Sequence, residues 1–289
     1  MPDIRLIALD LDGTLLNSRK VLADRNRTAL AAAAEAGVEI VPATGRFYRG
    51  MPQMVRDLPF VRYAVTINGA QVLDVRSGET IYSAEIPTEE AQELLMYLDT
   101  LPVIYDCYAG GWGYMTACMQ ENAADYISDS YSLDMVLRLR SPVPELKSFL
   151  AERGLQPQKI QLFTRDIPMR DELVVSLAER FPQFAVTTSL PNNIEINSRG
   201  ADKGLALIGL SERLGLNRSQ TMAFGDGLND LTMLQAAGVG VAMANAHPFL
   251  KDFADIIAPD CDADGVAEVI ETCILSRQQE ADYEFSNPT

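Results

Sequence analysis

Histidine is almost absent from this chain. His247 is the only one, so a Ser-His-Asp triad or a multi-histidine metal site would have to run through that single side chain. It stands before Pro248, where a turn is expected, and reads as structural. Chemistry therefore falls to carboxylates. Cysteine is sparse as well: Cys107, Cys118, Cys261 and Cys273 lie far apart and form no C-x-x-C pair. That argues against a zinc site or a disulfide framework and fits reduced thiols in a cytosolic protein. There is no run of basic residues; 40 acids stand against 24 bases, for a net charge of −16. So acidic a chain repels phosphodiester backbones and anionic membranes, so no nucleic-acid or membrane partner is expected. Long apolar runs are missing too. The N-terminal one, Leu6 to Leu16, is short and holds two acids, so it is neither signal peptide nor membrane span. No internal repeat or low-complexity linker breaks the chain.

At 289 residues, 47% of them apolar, the chain has length and core material for two domains. Its first part alternates strand and helix signals. "IRLIALDL" reads as a strand and "ADRNRTALAAAAEAG" as a helix ending at Gly37. "VEIVPATG" is a strand, "GMPQMVRDL" a helix and "YAVTING" a strand. Short apolar strands between helices imply a parallel sheet covered on both faces. "VLDVRSGETIYSAEI" then reads as a hairpin turning at Ser77-Gly78. From about Ala84 hairpins mix with helices, as in "PVIYDCYAGGWGYMT", which suggests an α+β module. After Gly200 the first rhythm returns, and "SRQQEADYEFSNPT" closes the chain as a polar tail expected to fray. The expected architecture is α/β: a Rossmann-like core of residues 1–83 and 191–289, interrupted by an α+β cap at 84–190.

Asp10 and Asp12 interrupt the apolar stretch "RLIALDLDGTLLN". Asp10 falls at the end of the first strand, where open parallel sheets bind ligands. Residues two apart on extended chain point the same way, so Asp12 can face the same crevice, and Gly13 lets the backbone turn. Two such acids repel unless a cation intervenes, and a hard cation such as Mg²⁺ takes carboxylates, waters and phosphate oxygens. A solvated turn is the plain alternative, but it does not explain the apolar residues on both sides. An EF-hand fails, because Thr14 and Leu15 stand where its loop needs an acid or amide and a glycine. Three further stretches add to the pair. "VPATGR" puts Thr44, Gly45 and Arg46 past the second strand, where a hydroxyl and amides can hold an anion. "GADKG" sets Lys203 at a helix start, where the dipole disfavours a cation unless an anion is near. "AFGDGLNDLTML" places Asp226, Asn229 and Asp230 after a strand, with helix capping as the plain alternative for the last two.

In this order, DxDGT, T-G-R, Lys203 and GDxxND resemble the haloacid dehalogenase-like phosphatase superfamily. Within it the chain is similar to Cof-type hydrolases, which carry a large α/β cap between the second and third motifs. "DLDGTLLN", "TGR", "NGA" (68–70), "GDGLND" and "ANAHPFLKDFAD" carry the resemblance, which covers nearly the whole chain. It implies that Asp10 is a nucleophile forming an aspartyl-phosphate. Asp12 would then protonate the leaving oxygen and later deprotonate water. Mg²⁺ would be held by Asp10, Asp226 and the main-chain carbonyl of Asp12. Thr44, the amides of Leu11 and Gly45, Lys203 and Asn229 would hold the phosphoryl oxygens. Asp230 would orient Lys203 or a metal-bound water, with Arg46 in support. The implied activity is Mg²⁺-dependent hydrolysis of a small phosphate ester, such as a sugar phosphate or a phosphorylated vitamin precursor. A phosphomutase is the alternative within the same chemistry, and a phosphate-ester-binding protein without turnover the alternative outside it. The cap would choose the leaving group. Tyr108, Trp112 and Tyr114 in "YAGGWGYM" either approach the substrate or pack beneath the cap sheet.

Overall fold

The structure, a computed structural model, describes residues 3–276; residues 277–289 of the polar tail lie outside them. The chain divides into two compact units. The first takes the chain up to Gly45, Pro52–Ile81, and the chain from Asp202 onward; the second takes Arg46–Met51 and Tyr82–Ala201.

The first unit is built on five parallel strands: β1 (Leu6–Leu9), β2 (Glu39–Pro42), β12 (Thr221–Gly225), β13 (Val239–Met243) and β14 (Ile256–Ala258). Their order is β14-β13-β12-β1-β2. β1, β12 and β13 are buried along their whole length, as expected of strands with helices on both faces. The sheet grows outward from β1 in two directions, to β2 on one side and to β12 on the other. The carboxyl ends of β1 and β12 therefore flank the point where strand order reverses, the position at which open α/β sheets bind ligands. Beyond β2, β3 (Tyr63–Thr66), β4 (Gln71–Asp74) and β5 (Glu79–Ser83) form a three-stranded sheet. Single parallel bridges from Ile40 to Val61 and from Ala43 to Val65 tie it to β2.

The second unit carries a six-stranded sheet: β6 (Ile104–Ala109), β7 (Trp112–Thr116), β8 (Arg140–Val143), β9 (Pro157–Phe163), β10 (Phe184–Thr187) and β11 (Asn193–Ser198). The order is β10-β11-β9-β6-β7-β8, antiparallel except for β7 with β8. Alternation divides the residues of these strands between two faces. Tyr105, Cys107, Ile160, Leu162, Ile194 and Ile196 join Leu94, Leu98, Leu150 and Leu177 of three helices in one apolar cluster. The alternate positions carry buried ion pairs, Arg140 with Asp106 at 3.1 Å and Lys159 with Glu195 at 3.0 Å. The unit extends past residue 190 because β11 is hydrogen-bonded between β9 and β10. Arg46–Met51 belongs to it because Phe47 packs edge-on against Tyr108, with ring centroids 5.1 Å apart.

Candidate active site

Asp10 follows β1 directly, and its amide donates to the Phe224 carbonyl of β12 at 3.0 Å. The chain then turns through Gly13, whose φ is +95°. A Cβ there would lie 2.4 Å from Oδ2 of Asp226, so both the conformation and the close approach require glycine. Thr14 completes the turn by donating its hydroxyl to Oδ1 of Asp226 at 2.8 Å. The Asn245 side chain donates to the Gly13 carbonyl at 2.7 Å, and the amide of His247 donates to the Asp226 carbonyl at 2.9 Å. His247 itself caps the short helix Pro248–Lys251, its Nδ1 accepting from the Phe249 amide. The lone histidine thus has a structural part, holding the acidic loop through its main chain.

Lys203 opens the helix Lys203–Arg213, which Asp202 caps through the Leu205 amide. Its side chain is buried, and Nζ donates to Oδ1 of Asp10 and Oδ1 of Asp230, each at 2.6 Å. Oδ2 of Asp230 accepts from the amides of Asp226 and Gly227, both at 2.9 Å. A chain of charge-assisted contacts therefore links the ends of β1 and β12 through one ammonium. Burial pushes the Asp10 carboxyl well above the usual carboxylate range; Lys203 opposes this, and Asp230 and Asp226 add to it. Asp226 is pushed up to about 6, by burial first and then by Asp230, with the Thr14 hydroxyl opposing. Burial alone would lower the pKa of Lys203, but Asp10 and Asp230 outweigh it and hold the ammonium above its ordinary value. Carboxylate oxygens of Asp10, Asp226 and Asp230 lie within 4.8 Å of one another. Hard oxygen donors gathered this closely fit a divalent cation, whose charge would offset their mutual repulsion. Asp230 is the least suited of the three, since both its oxygens are already taken by Lys203 and the two amides.

On the other side of β1, Thr44 and Gly45 follow β2. The Thr44 amide donates to Val65 and its carbonyl accepts from the Asn68 amide at 3.0 Å. Asn68 has φ +56°, and its Oδ1 would be 2.8 Å from a Cβ on Gly45. The same Oδ1 accepts from Nδ2 of Asn229 at 3.2 Å. Thr44, Gly45, Asn68 and Asn229 thus form a second linked group in the first unit. The Asp12 carboxylate pairs with Lys20 at 3.1 Å. Arg46 opens the segment that belongs to the second unit, where its guanidinium donates to the Gly50 carbonyl and the Tyr131 hydroxyl. In that unit Tyr114 packs on Phe149 and the Trp112 indole donates to Ser141. Sequence reasoning assigned no part to Thr14, Asn68, Asn245 or Lys20. For Asn68 the signal was present in Asn-Gly at a strand end, a pair that favours positive φ. Asn245 lies in "ANAHPFLKDFAD", which carried the resemblance, but nothing local told of its contact with Gly13, 232 residues away.

A family model described as haloacid dehalogenase-like hydrolase matches residues 7–270. The chain belongs to that family. It is 30% identical to the 5-amino-6-(5-phospho-D-ribitylamino)uracil phosphatase YcsE of Bacillus subtilis (strain 168), over 94% of this chain and 97% of that protein. It is 32% identical to the HMP-PP phosphatase of Cronobacter sakazakii (strain ATCC BAA-894), over 85% and 86%. A crystal structure of a haloacid dehalogenase-like hydrolase from Bacteroides thetaiotaomicron superposes with a TM-score of 0.80 at 31% identity, covering 93% of this chain and 99% of that one. Within the family the protein is a Cof-type phosphatase, a hydrolase of phosphomonoesters. Among the described residues no helix is long and apolar enough to cross a membrane.

Proposed function

We propose that this phosphatase is Mg²⁺-dependent, acts on a small phosphorylated metabolite and works through an aspartyl-phosphate on Asp10. The observation that carries the reading is the buried Lys203 ammonium held 2.6 Å from Asp10. An anionic nucleophile approaching an anionic ester needs a fixed cation, and Lys203 supplies one with no reorganisation during reaction. Asp10 and Asp226, with the main-chain carbonyl of Asp12, would hold Mg²⁺, which when bound supplies positive charge for the phosphoryl oxygens. Thr44, Lys203, Asn229 and the amides of Leu11 and Gly45 bind and orient those oxygens. Asp230 keeps Lys203 aimed and braces the Asp226 loop. Asp12 gives a proton to the leaving oxygen and takes one from the attacking water.

Substrate choice falls to the inserted unit, the expected cap. The substrate class would be a phosphorylated vitamin precursor or a sugar phosphate; two relatives are named for a phosphorylated ribitylaminouracil and for HMP-PP, which supports the former. The test is phosphate release from a panel of phosphorylated metabolites, run with the wild-type protein and with Asp10→Asn. Free phosphate from at least one member, and loss of turnover on the order of 10³ or more in a folded Asp10→Asn protein, is expected. Retained turnover in that variant would overturn the assignment. A phosphate isomer of the substrate in place of free phosphate would identify a mutase.

A further inference from the structure

We propose that Asn68 is a positioning residue for the phosphate site: its Oδ1 sets which end of the Asn229 amide faces the phosphoryl group. The proposal rests on Asn229 donating to a phosphoryl oxygen. In the structure Nδ2 of Asn229 donates to Oδ1 of Asn68 at 3.2 Å, across 161 residues of chain. Both residues belong to the first unit.

An asparagine side chain has a donor end and an acceptor end of nearly the same shape. Only the donor end can serve a phosphoryl oxygen; turned over, the amide would point an oxygen at an anion. The short helical turn Leu228–Asp230 places the Asn229 backbone, but it does not choose between the two ends. The acceptor on Asn68 does. With Nδ2 on its side, one N–H is used on Oδ1 of Asn68; with the amide turned over, two carbonyl oxygens would face each other. Oδ1 of Asn229 lies instead toward Gly227, only 2.5 Å from where a Cβ on that glycine would stand. The second N–H of Nδ2 is then the donor for phosphate.

Asn68 is itself firmly placed. Ile67, Asn68 and Gly69 all have positive φ, at +54°, +56° and +91°. Two non-glycine residues in succession there, one of them β-branched, cost free energy, and such conformations persist only where the surroundings impose them. The Asn68 amide donates to the Thr44 carbonyl and the Ala70 amide to the Ile67 carbonyl, each at 3.0 Å. A Cβ on Gly69 would run into the Asp202 carbonyl, so the turn is seated on the start of the helix that carries Lys203. Oδ1 of Asn68 lies close over Gly45, where a side chain would displace it. The backbone alone does not call for asparagine. Asparagine tolerates the left-handed region, but glycine adopts it freely, so for the turn by itself glycine would serve at least as well. What glycine would lack is the acceptor for Asn229.

The test compares wild type, Asn68→Gly, Asn229→Ala and the double variant, by melting temperature and by kcat/KM on 4-nitrophenyl phosphate. Asn68→Gly keeps the turn and removes the acceptor. A melting temperature equal to or above wild type is expected, with a loss in kcat/KM of about five- to tenfold. Asn229→Ala should lose on the order of 10²-fold, and adding Asn68→Gly to it should cost less than about twofold more. That non-additivity reads out action through Asn229, whereas a merely structural effect of Asn68→Gly would cost the same factor in either background. Wild-type kcat/KM in Asn68→Gly, or losses that multiply in the double variant, would overturn the proposal while leaving Asn229 in its part. A melting temperature that falls along with activity in Asn68→Gly would make Asn68 structural and overturn it too. Wild-type kcat/KM in Asn229→Ala would show instead that Asn229 does not hold phosphate, and the proposal would fall with it.

Discussion

Lys203 is the residue on which the electrostatics of the first unit turn. Its fully buried ammonium is bonded to Asp10 and Asp230 at once. Removing a buried ion's partner leaves uncompensated charge, at a cost of about 3–5 kcal/mol. Lys203→Met, which keeps the bulk and loses the charge, is therefore predicted to lower the melting temperature markedly near neutral pH. The loss should shrink in acid, where Asp10 takes up a proton more readily than an ordinary carboxyl. Melting curves of the two proteins across pH check this; a difference independent of pH would mean that packing, not charge, holds Lys203 in place. At this scale the sequence was informative because the residue is anomalous. A cation at a helix start opposes the helix dipole, and the anions that resolve the conflict are the two acids of other segments.

The helix Lys203–Arg213 contains two glycines with opposite expected behaviour. In an open helical position Gly→Ala stabilises by about 0.5–1 kcal/mol, since alanine loses less entropy on ordering. Gly209 has nothing within 4 Å of an added Cβ, and Gly209→Ala is predicted to stabilise by that amount. Gly204 has the Thr232 carbonyl oxygen only 2.4 Å from an added Cβ. Gly204→Ala would push this helix off its neighbour, Leu231–Ala236, and is predicted to destabilise by about 1–3 kcal/mol. Denaturant midpoints of both variants test the pair; stabilisation by both would mean that the helices separate without cost. Elements were legible where apolar periodicity was strong and failed where it was not. Sequence reasoning made nothing of residues 117–142, yet they hold the helix Ser130–Leu139 and the start of β8. β8 reads "RSPV", and its proline obscures a strand signal. It is tolerated because β8 is the edge of its sheet, where one side needs no donor.

For the molecule as a whole, the acidic cluster links stability to pH and metal. In metal-free protein Asp226 holds its proton up to about pH 6, against 3.8 for an ordinary aspartate. Between these values the folded state binds more protons than the unfolded chain, so this group's contribution to stability falls as pH rises through the window. Chelator-treated protein is therefore predicted to lose melting temperature between about pH 4 and pH 7, and Asp226→Asn to lose less. On the proposed reading Mg²⁺ would bind the ionised acids, so adding it at neutral pH should raise the melting temperature, with a gain of about 2.7 kcal/mol of stability at 100 times its Kd. It should also restore activity abolished by chelation. Full activity in metal-free protein would overturn the metal assignment.

The sequence by itself determined the candidate site's residue types and their order. Asp10, Asp12, Lys203 and Asp226 are legible because acids in apolar runs and a cation at a helix start contradict local propensity. It also determined the α/β class, because buried parallel strands and amphipathic helices have distinct apolar periods. Only the tertiary structure decided which partners those residues meet. The Asp10–Lys203 contact spans 193 residues, and the Thr14–Asp226 contact 212. No local pattern encodes such distances; they follow from β12 pairing beside β1. The same holds for Arg46–Met51, which continues the T-G-R motif in sequence but packs with the second unit, because Phe47 finds its apolar partners there. Burial of one ring against others outweighs chain continuity, since contacts decide where a side chain is removed from water.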